Sequence, residues 1–218
     1  MSWILTHTGK RFDLLAPRAE LISTIDIAHA LAHVCRFNGH TRHHYSVAQH
    51  SLLVASIVPA EHQLAALLHD ATEAYVGDMV RPLKALLHDA TEAYVGDMVR
   101  PLKALLPDYS EIEHGIWLAV CDRFNIDSTL PTSIYQADMI ALATERRDLM
   151  PEHAESWPCL AGVKPLPATL PRWTSEHACI QYHGKLLELM HATHRSQALS
   201  TWERVDEAHT GAAAPQCM

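Results

Sequence analysis

The stretch ALLHDATEAYVGDMVRPLK occupies residues 66–84 and is repeated without a mismatch at residues 85–103. Each copy holds an adjacent His-Asp pair, His69-Asp70 and His88-Asp89. Placed on a helix at about 100° per residue, Leu64, Leu67, Leu68, Ala71 and Tyr75 share one stripe. His69, Asp70 and Glu73 gather on the other side, because residues three and four apart are helical neighbours. By itself this describes an amphipathic helix with a solvated polar face. Residues elsewhere in the chain give the pair a chemical meaning.

His50 is one of them. A helix is expected over 46–58, stopping at Pro59, with an apolar stripe of Val47, Val54, Ile57 and Val58 on which His50 falls. A lone histidine on such a stripe reads first as a core residue with one hydrogen bond. Asp138 is the other. A helix expected over 133–149 aligns it with Ile134, Ala141 and Leu142, and a carboxylate on an apolar face is costly unless a cation or several donors compensate it. His50, the His-Asp pair and Asp138 together supply two imidazoles and two carboxylates from three helices. That donor set suits one divalent transition metal, with Co, Mn, Zn, Fe and Ni all compatible, and leaves coordination positions for water and substrate.

The remaining segments complete an all-α reading with a small N-terminal β-hairpin. Residues 3–15 read as two short strands joined at Thr8-Gly9, a peripheral hairpin. Thr24 and Asp26 signal the start of a helix carrying Ile27, Leu31 and Val34, which ends near Arg36-Phe37-Asn38-Gly39. The loop after it holds His40, Arg42, His43 and His44. A helix from Pro107-Asp108 to Phe124 places Ile112, Ile116, Leu118 and Val120 in apolar contacts. Five prolines at 151–173 mark a long irregular excursion of the kind that forms lids or rims. A last helix over 175–195 packs through Cys179, Tyr182, Leu186, Leu189 and Met190. One domain over 1–195 is expected, followed by a frayed tail at 196–218. Arg146-Arg147 read as solvated surface.

Composition excludes several classes. A net charge of -8 argues against stable nucleic-acid binding, which needs a basic surface, so an anionic substrate requires a local basic pocket. Five scattered cysteines without a CxxC pair fit reduced thiols in a cytoplasmic protein. No charged-then-apolar leader and no apolar run of about 18 residues points to secretion or membrane spanning.

The stretches CRFNGH, YSVAQHS, LLHDATEAYVGD, LLPDY and ADMIALATERRDL resemble the HD-domain metal-dependent phosphohydrolases, within them the phage and prophage branch related to bacterial 5'-deoxynucleotidases. The resemblance covers about residues 1–190. It implies an HD-domain helical bundle and release of phosphate from deoxynucleoside 5'-monophosphates. A dNTP triphosphohydrolase of the dATP-cleaving type, or a metal-binding module whose catalysis the duplication impairs, are its alternatives. By the same resemblance His50, His69, Asp70 and Asp138 are the metal ligands, and Glu73 is the acidic residue that assists catalysis. Arg36 binds phosphate, and Asp78 lies near the nucleotide sugar. Phe37 beside Arg36 offers a ring on which a base can stack. Homodimerisation is a further implication.

That family pattern has a single His-Asp segment, so one copy is surplus. An extra 19 residues inside a continuous helix would turn everything downstream by about 100°, whereas in a turn they cost only modest loop entropy. Gly77 and Pro82 mark such a turn. Copy one, which keeps its approach helix over 61–68, is therefore expected to supply the working pair, with His88-Asp89 in an extruded segment.

Overall fold

A computed structural model describes residues 2–77, 109–151 and 157–210, with side-chain detail for all of these except 109–110 and 194–210. The second His-Asp copy and Asp78 lie outside the described residues. Within them the chain is mostly helical, with one two-stranded antiparallel sheet. Strand β1 (Trp3–Leu5) pairs with β2 (Arg11–Asp13), Ile4 opposite Phe12. The connecting turn closes where the sequence placed it, with Gly9 in left-handed backbone at φ 80°.

The hairpin is not peripheral. Phe12 and Leu14 are fully buried, and the Phe12 ring stacks on Tyr75 at 4.2 Å. Helix α1 (Thr24–His33) fastens it through Asp26. That carboxylate does not cap the helix, whose N-cap is Ser23 without a side-chain bond. It accepts instead from the backbone N–H of Thr8 at 2.7 Å and from the Thr8 hydroxyl at 2.8 Å. Asp26 is buried, and Asp26→Ala removes the acceptor of both Thr8 donors. We expect a loss of about 1.5–3 kcal/mol in urea unfolding, the range for bonds to a charged acceptor. A loss below about 0.5 kcal/mol would mean that the hairpin docks through Phe12 and Leu14 alone.

Helix α2 (Val47–Ile57) is the centre of the bundle. Ser46 caps it by accepting from the Gln49 N–H at 3.3 Å. Around it pack α1, α3 (Gln63–Leu68), α6 (Thr132–Leu149) and α7 (Ser175–Thr210). The short α4 (Glu73–Val76) packs on α1, and α5 (Tyr109–Phe124) on a 3-10 turn at Ala19–Leu21. Of the apolar residues expected on α5, Ile112, Ile116 and Val120 are buried, but Leu118 is exposed. Helix α7 runs to Thr210, well past the expected end near Arg195, so the first part of the expected tail is helical. Among the described residues no helix is long and apolar enough to cross a membrane.

The proline-rich excursion is stitched along α6. Thr144 Oγ1 accepts from Leu166 N at 2.9 Å, and Asp148 Oδ2 accepts from Leu170 N at 2.9 Å. Arg147, expected as solvated surface, grips Asp148 through Nε at 2.6 Å and Nη2 at 2.8 Å and donates to the carbonyls of Leu166 and Ala168. The Arg147 bond is the main reason that Asp148 sits below the ordinary carboxylate range. A depressed folded pKa means the stabilisation is complete above the unfolded value, about 3.9, and is lost as pH falls through the folded one. Hydrogen exchange at the Leu170 amide, normalised to its intrinsic rate, should therefore accelerate below about pH 4. In Asp148→Asn that acid step should be absent.

Candidate metal centre

His69-Asp70 does not ride on a continuous helix. Helix α3 ends at Leu68, and the next bonds are of the tighter kind: Ala71 N to Leu68 O at 2.9 Å, Glu73 N to Asp70 O at 3.0 Å and Tyr75 N to Thr72 O at 2.9 Å. Side chains take two carbonyls exposed at this break. The buried Tyr182 hydroxyl on α7 donates to Leu67 O at 2.8 Å, and His69 Nδ1 donates to Ala66 O at 2.8 Å. Leu64, Leu67, Leu68, Ala71 and Tyr75 are buried as their spacing required. The opposite side is no solvated face. The side chains of His69 and Asp70 are only 9% and 19% exposed, and both approach His50 on α2, the His69 ring at 5.4 Å between centroids and Asp70 Oδ2 at 3.5 Å from Nε2.

His50 is the fourth residue of α2 and is fully buried. Its Nδ1 lies 2.6 Å from Glu145 Oε1 on α6. A carboxylate oxygen accepts, so Nδ1 carries the proton and Nε2 is left to face the other way. There Nε2 stands 3.1 Å from Asp138 Oδ1 and 3.5 Å from Asp70 Oδ2. These are ion-pair distances, yet Nε2 makes no hydrogen bond, and neither does the buried Asp70 Oδ2. His69 Nε2, with its own Nδ1 committed to Ala66, lies 3.3 Å from the same Asp70 oxygen.

Buried polar atoms that converge without hydrogen bonds are atoms that a bound cation would satisfy. One ligand atom each from His50, His69 and Asp138 falls within 4.8 Å of the others. Both imidazoles have their second nitrogen on an acceptor, as metal-bound histidines do. The residues present therefore fit a metal ion, with Asp70 Oδ2 beside the three-residue group.

The charges are arranged accordingly. Burial and the Arg36 charge push the His50 imidazole down, but Glu145 and the contact with Asp138 outweigh them and raise it. Burial alone would raise the Asp138 carboxyl, whereas His50, then His69 and Arg36, hold it below its ordinary range. Glu145, also opposed by burial, is held down by His50 and Arg36. A cation taken by Nε2 would displace a proton there.

Arg36 follows α1 and reaches Glu145 Oε2 with Nη2 at 3.2 Å. After it the backbone turns left-handed through Phe37 (φ 53°), Asn38 (φ 51°) and Gly39 (φ 77°). The guanidinium carbon stands 5.3 Å from the Phe37 ring centroid, and that ring is 6.2 Å from Trp157. Glu73 opens α4 directly after the His-Asp turn and is half-buried. Glu145 was not among the residues singled out from sequence. Its signal was its place two helical turns after Asp138, hence on the same face of α6.

No family model matches the chain. It is 46% identical over 90 residues to the uncharacterized protein RCAP_rcc00048 of Rhodobacter capsulatus, across 37% of this chain and 46% of that one. Over 169 residues it is 40% identical to the uncharacterized protein YfdR of Escherichia coli K12, a match that spans 78% of this chain and 83% of that protein. At that identity and coverage, the chain belongs to the family of YfdR.

Proposed function

We propose that this protein is a divalent-metal-dependent phosphohydrolase of the HD-domain kind that releases phosphate from deoxynucleoside 5'-monophosphates. The observation that carries the reading is the convergence of His50, His69 and Asp138, with unbonded buried atoms on His50 and Asp70. The order of these residues along the chain is the H…HD…D order on which the resemblance rests.

His50, His69, Asp70 and Asp138 would hold the ion, which when bound supplies Lewis acidity toward a phosphoryl oxygen. The chain's own residues do the rest. Arg36, held at Nη2 by Glu145, carries the planar, delocalised charge that suits a phosphate. Its positive charge offsets the local cost of bringing an anion to a protein of net charge -8. Glu73, half-buried beside the His-Asp turn, is the group to move a proton to or from the attacking water or the leaving oxygen. The ring of Phe37 is the surface for a base.

The test is product analysis after the purified protein, loaded in turn with Mn, Co, Zn, Fe or Ni, is incubated with matched deoxynucleoside mono- and triphosphates. Inorganic phosphate from the monophosphates is expected. Nucleoside plus triphosphate from the dNTPs would replace the substrate class with that of a triphosphohydrolase. No product with any metal would overturn the enzymatic reading and leave a metal-binding module.

A further inference from the structure

We propose that Glu145 is a positioning residue that organises both the metal ligand His50 and the anion-binding Arg36, a proposal that rests on the metal-site reading above. Its two oxygens are divided between two partners: Oε1 takes the His50 Nδ1 proton at 2.6 Å and Oε2 takes Arg36 Nη2 at 3.2 Å. The side chains of Glu145 and His50 are both fully buried, and that of Arg36 is 14% exposed. Because Glu145 follows Asp138 by two turns, α6 meets the same imidazole at both nitrogens, Asp138 at Nε2 and Glu145 at Nδ1. The ring is thereby held in one tautomer and aimed in one direction, with Nε2 toward His69 and Asp70.

Stability alone is a poor explanation for this arrangement. Burying a carboxylate and a guanidinium carries a desolvation cost that their attraction often fails to recover, and an apolar replacement is commonly as stable. What an apolar or neutral residue does not provide is a charged acceptor behind a ligating histidine. Outer acceptors of this type raise ligand basicity and typically change metal affinity 10–100-fold. The shared carboxylate also fixes where the Arg36 charge stands relative to the ion, so that one buried group sets the spacing between cation and phosphate contact.

The experiment is titration of the metal-free full-length protein with Co2+, competed against a chelator of known affinity, with the visible Co2+ absorption recorded in parallel. Glu145→Gln keeps the volume and one acceptor but removes the charge. We expect it to fold with a parental circular dichroism spectrum, to bind Co2+ at least about ten-fold more weakly, and to shift the absorption bands. A role in packing alone would leave both the affinity and the bands unchanged. Glu145→Asp, which keeps the charge and withdraws it by one methylene, is the companion variant if the Gln variant does not fold, and weakened Co2+ binding is expected there too. Parental affinity in a folded variant would overturn the positioning role while leaving the metal site standing. Failure of the parental protein itself to bind Co2+ would overturn the site and this proposal together.

Discussion

On the function proposed above, Asp138→Asn should abolish binding of a divalent ion and lower phosphate release by about a thousand-fold, equivalent to several kcal/mol of Lewis-acid stabilisation at about 1.4 kcal/mol per factor of ten. The substitution is close to isosteric, so α6 and its packing on α2 should survive. What disappears is a charge 3.1 Å from His50 Nε2, one of the three groups that converge within 4.8 Å. A neutral amide oxygen brings no negative charge to the cation and is a weaker ligand than a carboxylate. Metal content after dialysis and the proposed phosphate-releasing rate should therefore fall together, while the thermal transition of the metal-free protein should persist. A variant that keeps metal binding and rate would show that Asp138 is an ordinary half-buried partner of His50.

Removing the two His-Asp pairs separately should give opposite results. The double substitution His69→Ala with Asp70→Ala is expected to abolish Co2+ binding, whereas His88→Ala with Asp89→Ala should leave it at the parental level. The approach to each pair is the reason. Copy one follows α3, where Leu64, Leu67 and Leu68 are buried and Ala65 packs against the core, which brings His69 to within reach of His50. In front of copy two, Lys84 stands where Ala65 stands and Pro82 where Gln63 stands. A lysine and a proline at those positions suit the packed approach helix less well than Ala65 and Gln63 do. Excision of residues 85–103 should likewise keep both fold and metal binding. Loss of binding on removal of the second pair alone would assign the site to copy two.

Much of the helical architecture was legible because helical periodicity is a local property. The stripe of Leu64, Leu67, Leu68, Ala71 and Tyr75, the hairpin turn at Thr8-Gly9 and the extent of α6 all follow from spacing and turn chemistry. So did the suspicion attached to Asp138, since a carboxylate on an apolar stripe asks for compensation. Other features were set by partners distant in sequence. The break after Leu68 depends on a hydroxyl from α7, which no pattern around His69 announces. Asp26 has the position of a capping residue but serves the hairpin, because Thr8 offers two donors to it. Arg147 reads as surface until its carbonyl partners in the proline-rich segment are known.

Glu145 marks the boundary between the two kinds of information. Within TERRDL it is one charged residue among several, and charged residues in a run usually face solvent. It is fully buried because α6 packs on α2 with His50 and Arg36 waiting opposite. By itself, then, the chain determined which residue types were on hand for a metal and which helices would carry them, because those depend on neighbours three or four positions away. Only the tertiary structure decided which atoms converge, which nitrogen of His50 faces the site and which carboxylate stands behind it. Those are matters of packing between helices far apart in sequence, where buried charges persist only if partners from other elements meet them.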